Sequence, residues 1–326
     1  MTPGELALAA GNYTPVTHFI LLGFSNDPDL QKLLFGGFLL IYAMTVVGNL
    51  GMMALVLTDS RLHSPMYFFL SVLSFLDVCY SSVVTPKLLV DLLASDRSIS
   101  FKGCVVQMTF FVMHATAESF LLASMAYDRC TAICRPLHYG SVMTRGTCLQ
   151  LVAASYAFGG ANSALETGNV FALPFCGPNR VPHYFCDIQP LLRLACANTA
   201  VAGVILYVFS ALVLLLPVSL ILTSYSLVLL AIGRMRSAAG KEKALSTCAS
   251  HFLAIAIFYS TVIFTYVQPH GSTDDTSGQV VSVCYTIITP MLNPFIYSLR
   301  NKEVKEALQR KLLLNPARLF VGKRKA

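Results

Sequence analysis

Beyond residue 31, five stretches of this sequence run for 20 residues or more without a charged side chain. They lie between Lys32 and Asp59 (26 residues), Arg145 and Glu166 (20), Arg193 and Arg234 (40), Lys243 and Asp274 (30), and Asp275 and Arg300 (24). A helix needs about 20 apolar residues to cross a bilayer. Two further stretches, Ser64 to Pro86 and Gly103 to Tyr127, qualify when each is allowed one interior acid, Asp77 and Glu118. The expectation is therefore seven spans. Only 12% of the 326 residues are charged, about half the share usual in soluble domains, which excludes a water-soluble globule.

The 40-residue run reads as one span, because its sustained Leu/Val/Ile pattern covers only Val201 to Leu230, behind a lead-in containing Cys196, Asn198 and Thr199. Loop charge tests the count, since cytoplasmic loops carry excess Lys and Arg. With seven spans and the N-terminus outside, 17 basic residues fall inside and five outside; eight spans would put the basic tail on the wrong side. The net charge of +7 is thus a matter of orientation, and nucleic acid is not an expected partner. Residues 1–31 hold no Lys or Arg, so no basic n-region of a cleavable signal is visible. Asn12-Tyr13-Thr14 is the only Asn-x-Ser/Thr sequon, which makes Asn12 the candidate glycosylation site.

The expected architecture is an all-α membrane protein, a seven-helix bundle with a short amphipathic C-terminal helix. Residues 1–31 form an extracellular segment, 32–299 the membrane domain, and 300–326 a cytoplasmic helix and basic tail. Val304, Leu308 and Leu312 recur every four residues, with Lys302, Lys305, Arg310 and Lys311 on the other faces, a pattern suited to the anionic inner leaflet.

Seven helices suit a retinal protein, a transporter or a G-protein-coupled receptor. A Schiff-base lysine is absent from residues 279 to 299, which excludes the first. The motifs resemble the odorant receptors of the rhodopsin-like class. They are Gly48-Asn49, Leu62-His63-Ser64-Pro65-Met66-Tyr67-Phe68-Phe69-Leu70, Met125-Ala126-Tyr127-Asp128-Arg129, Ser224-Tyr225, Lys243-Ala244-Leu245-Ser246-Thr247-Cys248-Ala249-Ser250-His251, and Pro290-Met291-Leu292-Asn293-Pro294-Phe295-Ile296-Tyr297-Ser298-Leu299-Arg300-Asn301. They occur in the family's order, and the long second outer loop resembles the terrestrial-type branch. One departure stands out: Cys130-Thr131-Ala132-Ile133-Cys134 follows Asp128-Arg129 where the family usually has Tyr-Val-Ala-Ile-Cys.

The resemblance implies a receptor in the plasma membrane that binds a small volatile odorant and raises cAMP through a stimulatory heterotrimeric G protein. No enzymatic activity and no cofactor is expected. Four outer cysteines allow three pairings; the resemblance implies Cys104 with Cys186, leaving Cys176 with Cys196. It also gives Asp128, Arg129, Tyr225 and Tyr297 the role of a coupling switch, with Pro217 and Pro294 as places where helices bend.

Acids inside spans are costly and usually functional. Helical rise puts Glu118 roughly 15 Å from Asp128 and Asp77 roughly 20 Å from Ser64, with Asn293 about 10 Å above Arg300. Two carboxylates and an amide at similar depth suit a sodium ion or a shared proton, and the resemblance implies a sodium-type site. A transporter with an Asp77/Glu118 proton path is the competing class, although both acids are confined to one depth.

For the ligand pocket, Met108, Phe111, Val112, Ala115, Thr116 and Ser119 make one stripe of the third helix. The resemblance turns it toward the outer cavity with Phe209, Ser210 and Val213, Tyr259, Val262, Ile263 and Tyr266, and Val283 and Thr286. Apolar walls with a few hydroxyls match a small, uncharged, mostly apolar ligand, so alcohols, aldehydes, ketones or esters are expected above amines or acids.

Overall fold

The computed structural model describes residues 16–267, 275–301 and 303–311. Asn12 and Leu312 lie outside these residues, as does Lys302. Seven long helices dominate: α1 Pro28–Thr58, α2 Pro65–Leu93, α3 Phe101–Cys134, α4 Arg145–Phe171, α5 Ala200–Arg234 and α6 Ala238–Val267, with α7 running from Asp275 to Arg300. Local chemistry starts several of them. Asp27, Ser100 and Thr144 cap α1, α3 and α4 by accepting the backbone N–H of Asp29, Gly103 and Thr147, which uses donors that have no partner inside the helix.

Six of the seven are long and apolar enough to cross a membrane. The exception is α4, whose interior carries Gly159, Asn162, Ser163 and Glu166. Gly159, Asn162 and Ser163 serve packing against α3, and Glu166 meets α5. A Cβ at Gly159 would sit 2.5 Å from the backbone oxygen of Met113, so only glycine permits this close approach. Ser163 Oγ donates to the carbonyl of Thr109 at 2.5 Å. The charge-free run that ends at Glu166 thus understates α4, which continues to Phe171 and carries this acid inside the helix.

Proline dictates part of the α1–α7 contact. Pro294 has no N–H, so the carbonyl of Pro290, four residues earlier, loses its helical donor. Asn49 Nδ2 supplies the missing bond at 3.0 Å while also holding the carbonyl of Thr45. Gly48 lets the helices close, because a Cβ there would lie 3.1 Å from Pro294 Cγ. A turn of π-helix, Cys284–Ile288, interrupts α7 between Val283 and Thr289, an irregularity frequent at functional sites.

Two apolar clusters fill the bundle. One, around Leu73, Leu121, Met125 and Val228, lies toward the end that carries Arg129. The other, around Phe19, Tyr80, Met108, Phe111 and Phe185, lies at the opposite end. There a small sheet of order β2-β1-β3 closes the bundle, with β1 His18–Leu21 antiparallel to β2 Ser98–Ser100 and parallel to β3 Arg180–Val181.

Residues 303–311 form a further helix, α8, and its apolar face differs from the expected one. Val304 and Ala307 are fully buried, whereas Leu308 is 45% exposed, because the contact uses a three-residue step. Nor do all of its basic residues face away. Arg310 pairs with Asp59 at 2.9 Å, holding that carboxyl below its ordinary range mainly through this hydrogen bond. Lys311 Nζ donates to the carbonyl of Thr58 at 3.4 Å.

Asn49→Ala should destabilise the receptor in lipid nanodiscs by about 1–3 kcal/mol, the cost of an unsatisfied buried carbonyl. The same substitution should cost clearly less in a Pro294→Ala background, where residue 294 regains its N–H. Equal costs in a thermal-unfolding double-mutant cycle would contradict this account of the Asn49–Pro290 bond.

Candidate functional site

The special side chains group at three levels. At the Arg129 end, Arg129 Nε donates to Asp128 Oδ2 at 3.0 Å. Asp128 is fully buried, and its other oxygen accepts the hydroxyl of Tyr139 at 2.7 Å. Tyr139 begins a short helix, Tyr139–Val142, after the end of α3. The Tyr225 hydroxyl meets His251 Nδ1 at 2.7 Å, joining α5 to α6. Among the described residues, no hydrogen-bond partner reaches the buried hydroxyl of Tyr297 or Nε2 of His251. A cavity of about 850 Å³ opens here, lined by Arg61, Tyr67, Asp128, Arg129, His251 and Tyr297 among others. All four expected switch residues therefore cluster, with Tyr139 and His251 as members that the sequence reading left without a role. Nothing in a loop marks Tyr139 by spacing, whereas a histidine on an otherwise apolar helix was a usable signal for His251.

In the middle of the bundle, Asn293 Nδ2 donates to both carboxylate oxygens of Asp77, at 3.1 Å each. Glu118 is buried beside them, within hydrogen-bonding reach of Asn293 and electrostatic reach of Asp77. Two acids from α2 and α3 and one amide from α7 therefore share a pocket of oxygen-rich chemistry. Among the described residues, no group of three or more His, Cys, Asp or Glu side chains is arranged to hold a metal. A cation here would rely on the two acids, with the amide oxygen as a third donor.

At the sheet end, the long loop between α4 and α5 folds inward. Disulfides join Cys104 to Cys186 and Cys176 to Cys196. Gln107 of α3 accepts the backbone N–H of Cys186 at 2.9 Å. Along α7, Gln279 donates to the carbonyl of Pro182, Ser282 meets His183 Nε2, and Thr286 meets the Tyr184 hydroxyl. Their spacing of three and four makes one polar stripe on which the loop docks. Burial pushes the His183 imidazole down to about 3, so it sits in this contact as a neutral ring.

The expected pocket residues do not all meet. Met108, Phe111 and Val112 pack in the sheet-end cluster with Ala115 and Val283 at its margin, and Phe111 stacks on Tyr80 and lies against Phe185. Phe209, Ser210 and Val213 are half-buried on α5. Tyr259 and Val262 belong to the cluster nearer Arg129, although the Tyr259 hydroxyl reaches Ser119 at 2.8 Å. One assignment needs correction. Ile263 is 51% exposed, on the same outward stripe as Phe252, Ala256 and Ser260, so helical phase turns it from the interior. The Thr116 hydroxyl accepts Asn162 Nδ2 at 3.1 Å, which engages it with α4. The side chain of Tyr266 lies outside the described residues. One acid had no role in the sequence reading: Glu166, 4% exposed inside α4, accepts the Ser210 hydroxyl at 3.0 Å.

Comparison with known proteins gives one consistent result. A family model described as olfactory receptor matches residues 38–315. Olfactory receptor 5AP2 of Mus musculus is 52% identical over 92% of this chain and 94% of its own length. Olfactory receptor 5B21 of Homo sapiens is 51% identical, covering 91% of this chain and 96% of its own, and the Mus musculus receptor 5G9 is 50% identical over 93% and 96%.

Proposed function

The chain belongs to the olfactory receptor family and is an odorant receptor; on that premise we propose that it converts binding of a small, mostly apolar, neutral volatile into nucleotide exchange on a stimulatory G protein, and so raises cAMP. The sheet end faces outward in this reading, with Asn12 glycosylated, and the Arg129 end faces the cytosol. The observation that carries it is the 850 Å³ cavity at that end. Its wall holds Arg129, paired to Asp128, and a helix of the G protein entering there would compete with Asp128 for the guanidinium.

Tyr139 and His251 add to the mechanism. Tyr139 satisfies Asp128 from outside the helix, which keeps the buried carboxylate paired at rest. The Tyr225–His251 bond ties α5 to α6, so outward movement of α6 has to break it. That frees the Tyr225 hydroxyl and the ring of His251, which lines the cavity together with Tyr297. The odorant drives this change only by binding the active arrangement more tightly than the resting one. The Phe111–Tyr80–Phe185 aromatic contacts couple the pocket to the loop above it.

A sodium ion held by Asp77, Glu118 and Asn293 would favour the resting arrangement, because neighbouring carboxylates repel without a cation or a proton between them. Oxygen ligands suit such a hard cation. The neutral ligand class rests on the apolar sheet-end cluster with few hydroxyls.

Arg129→Ala should reduce odorant-evoked cAMP to background in cells while surface labelling stays at the wild-type level. A robust cAMP response from that variant would contradict the switch. Glu118→Gln should remove the sodium dependence of signalling in permeabilised membranes; sodium dependence equal to that of the wild type would remove the ion from the account.

A further inference from the structure

Glu166 is an intramembrane acid that neither the switch nor the sodium site uses and, unlike Asp91, which pairs with Lys87, it has no basic partner among the described residues. It sits on α4 five residues before Phe171, which helical rise converts to roughly 7.5 Å below the sheet end of that helix. Ser210 of α5 donates to its Oε1 at 3.0 Å. One turn deeper on the same face, Asn162 lies within hydrogen-bonding reach of Glu166 and donates its N–H to Thr116 of α3. Glu166 and Asn162 therefore lie at the junction of α3, α4 and α5, with the half-buried Phe209 and Val213 one and three residues from Ser210 on α5.

The balance of donors and acceptors there is lopsided. A carboxylate offers about four lone-pair sites, and the protein supplies Ser210 and Asn162. Asn162 Oδ1 is itself buried without a hydrogen-bond partner among the described residues, in a side chain that is more than nine-tenths buried. Buried acceptors left unpaired are costly, and an acid inside a membrane bundle faces a partner or a pathway. What the junction lacks is a donor. A ligand carrying an O–H or N–H head supplies one, whereas a ligand carrying only a carbonyl adds a further acceptor and meets repulsion.

We propose that the odorant site of this receptor selects volatiles with a hydrogen-bond-donating head, an alcohol or an alkyl amine, through Glu166 and Asn162, against ketones and esters of the same size. This rests on the odorant-receptor reading; the alcohol falls within the neutral class drawn from composition, whereas the amine, cationic near pH 7, departs from it and would pair with the Glu166 carboxylate. Discrimination follows from the unpaired polar groups that a wrong ligand leaves behind, which is where hydrogen-bonding sites obtain most of their selectivity.

The experiment uses the full-length receptor and matched series of primary alcohols, primary alkyl amines, methyl ketones and methyl esters of equal chain length. Two readouts are taken: cAMP in cells, and thermal stabilisation of the purified receptor in nanodiscs, which reports binding without G-protein coupling. Expected is a preference for the alcohol or the amine over the matched ketone and ester of about tenfold or more. In Glu166→Gln, whose amide both donates and accepts, this preference should collapse and the ketone should gain. A response to amines that vanishes in Glu166→Gln while an alcohol response survives in weakened form identifies the amine as the preferred head; the reverse identifies the alcohol.

Stabilisation by donors that depends on Glu166, with no cAMP response, would support the inference and defeat the signalling proposal instead. Equal stabilisation by ketones, a donor preference unchanged in Glu166→Gln, or no stabilisation by any series would overturn it. That last set of results would make Glu166 a tie between α4 and α5 and nothing more. Glu166→Asp, which keeps the charge but shortens its reach, separates ligand loss from misfolding: it should keep surface expression and retain the donor preference at reduced affinity.

Discussion

Two carboxyl groups in the middle of an apolar bundle set the terms for the rest of the molecule. Asp77 and Glu118 are both buried, on neighbouring helices, and Asn293 donates to both oxygens of Asp77. Neighbouring ionised acids repel, and the repulsion is stronger where water is absent. The arrangement therefore depends on α7 delivering its amide between them. That delivery rests on other contacts: Pro294 follows Asn293, breaks the helical ladder, and leaves a carbonyl that Asn49 of α1 takes up. Four helices are thus linked by a short chain of polar contacts, in surroundings where every polar group has to find its partner inside the protein.

The two ends of the bundle are built differently around this centre. At the sheet end, two disulfides, a three-stranded sheet and a polar stripe on α7 hold the loop down on an aromatic cluster. At the Arg129 end a cavity stays open, and its wall carries hydrogen-bonding groups without partners among the described residues, Tyr297 and His251 Nε2. Constraint at one end and unspent bonding capacity at the other suit a protein that binds a small ligand above and remodels its contacts below. The pairing of α8 to Asp59, with Tyr67 donating to Glu303 at 2.7 Å, fixes one wall of that cavity.

Much of this was legible in the sequence, for physical reasons. A bilayer forces about 20 apolar residues per span, so the spans announced themselves, and motifs such as Asp128-Arg129 and Asn293-Pro294 marked the polar centres. The charge-free run marked α4 as a span but stopped at Glu166, five residues short of its end, because this acid lies inside the helix and meets Ser210 of α5. The family resemblance placed Ile263 at the pocket, but a family pattern does not say which way a face turns in this chain. The same limit applied to Leu308, where the packing uses Val304 and Ala307. Tyr139 was invisible because its contact with Asp128 depends on the path of a loop.

The proposal that a sodium ion offsets the repulsion between Asp77 and Glu118 is tested directly by one measurement. The unfolding temperature of the purified receptor in nanodiscs is compared in sodium and in an equal concentration of a large organic cation, for the wild type and for Asp77→Asn/Glu118→Gln. The wild type should be more stable in sodium. The double variant should lose that dependence and be at least as stable as the wild type without sodium, because replacing buried charges by neutral groups of the same shape is neutral or stabilising. A wild type indifferent to sodium, or a double variant that fails to fold, would contradict the claim.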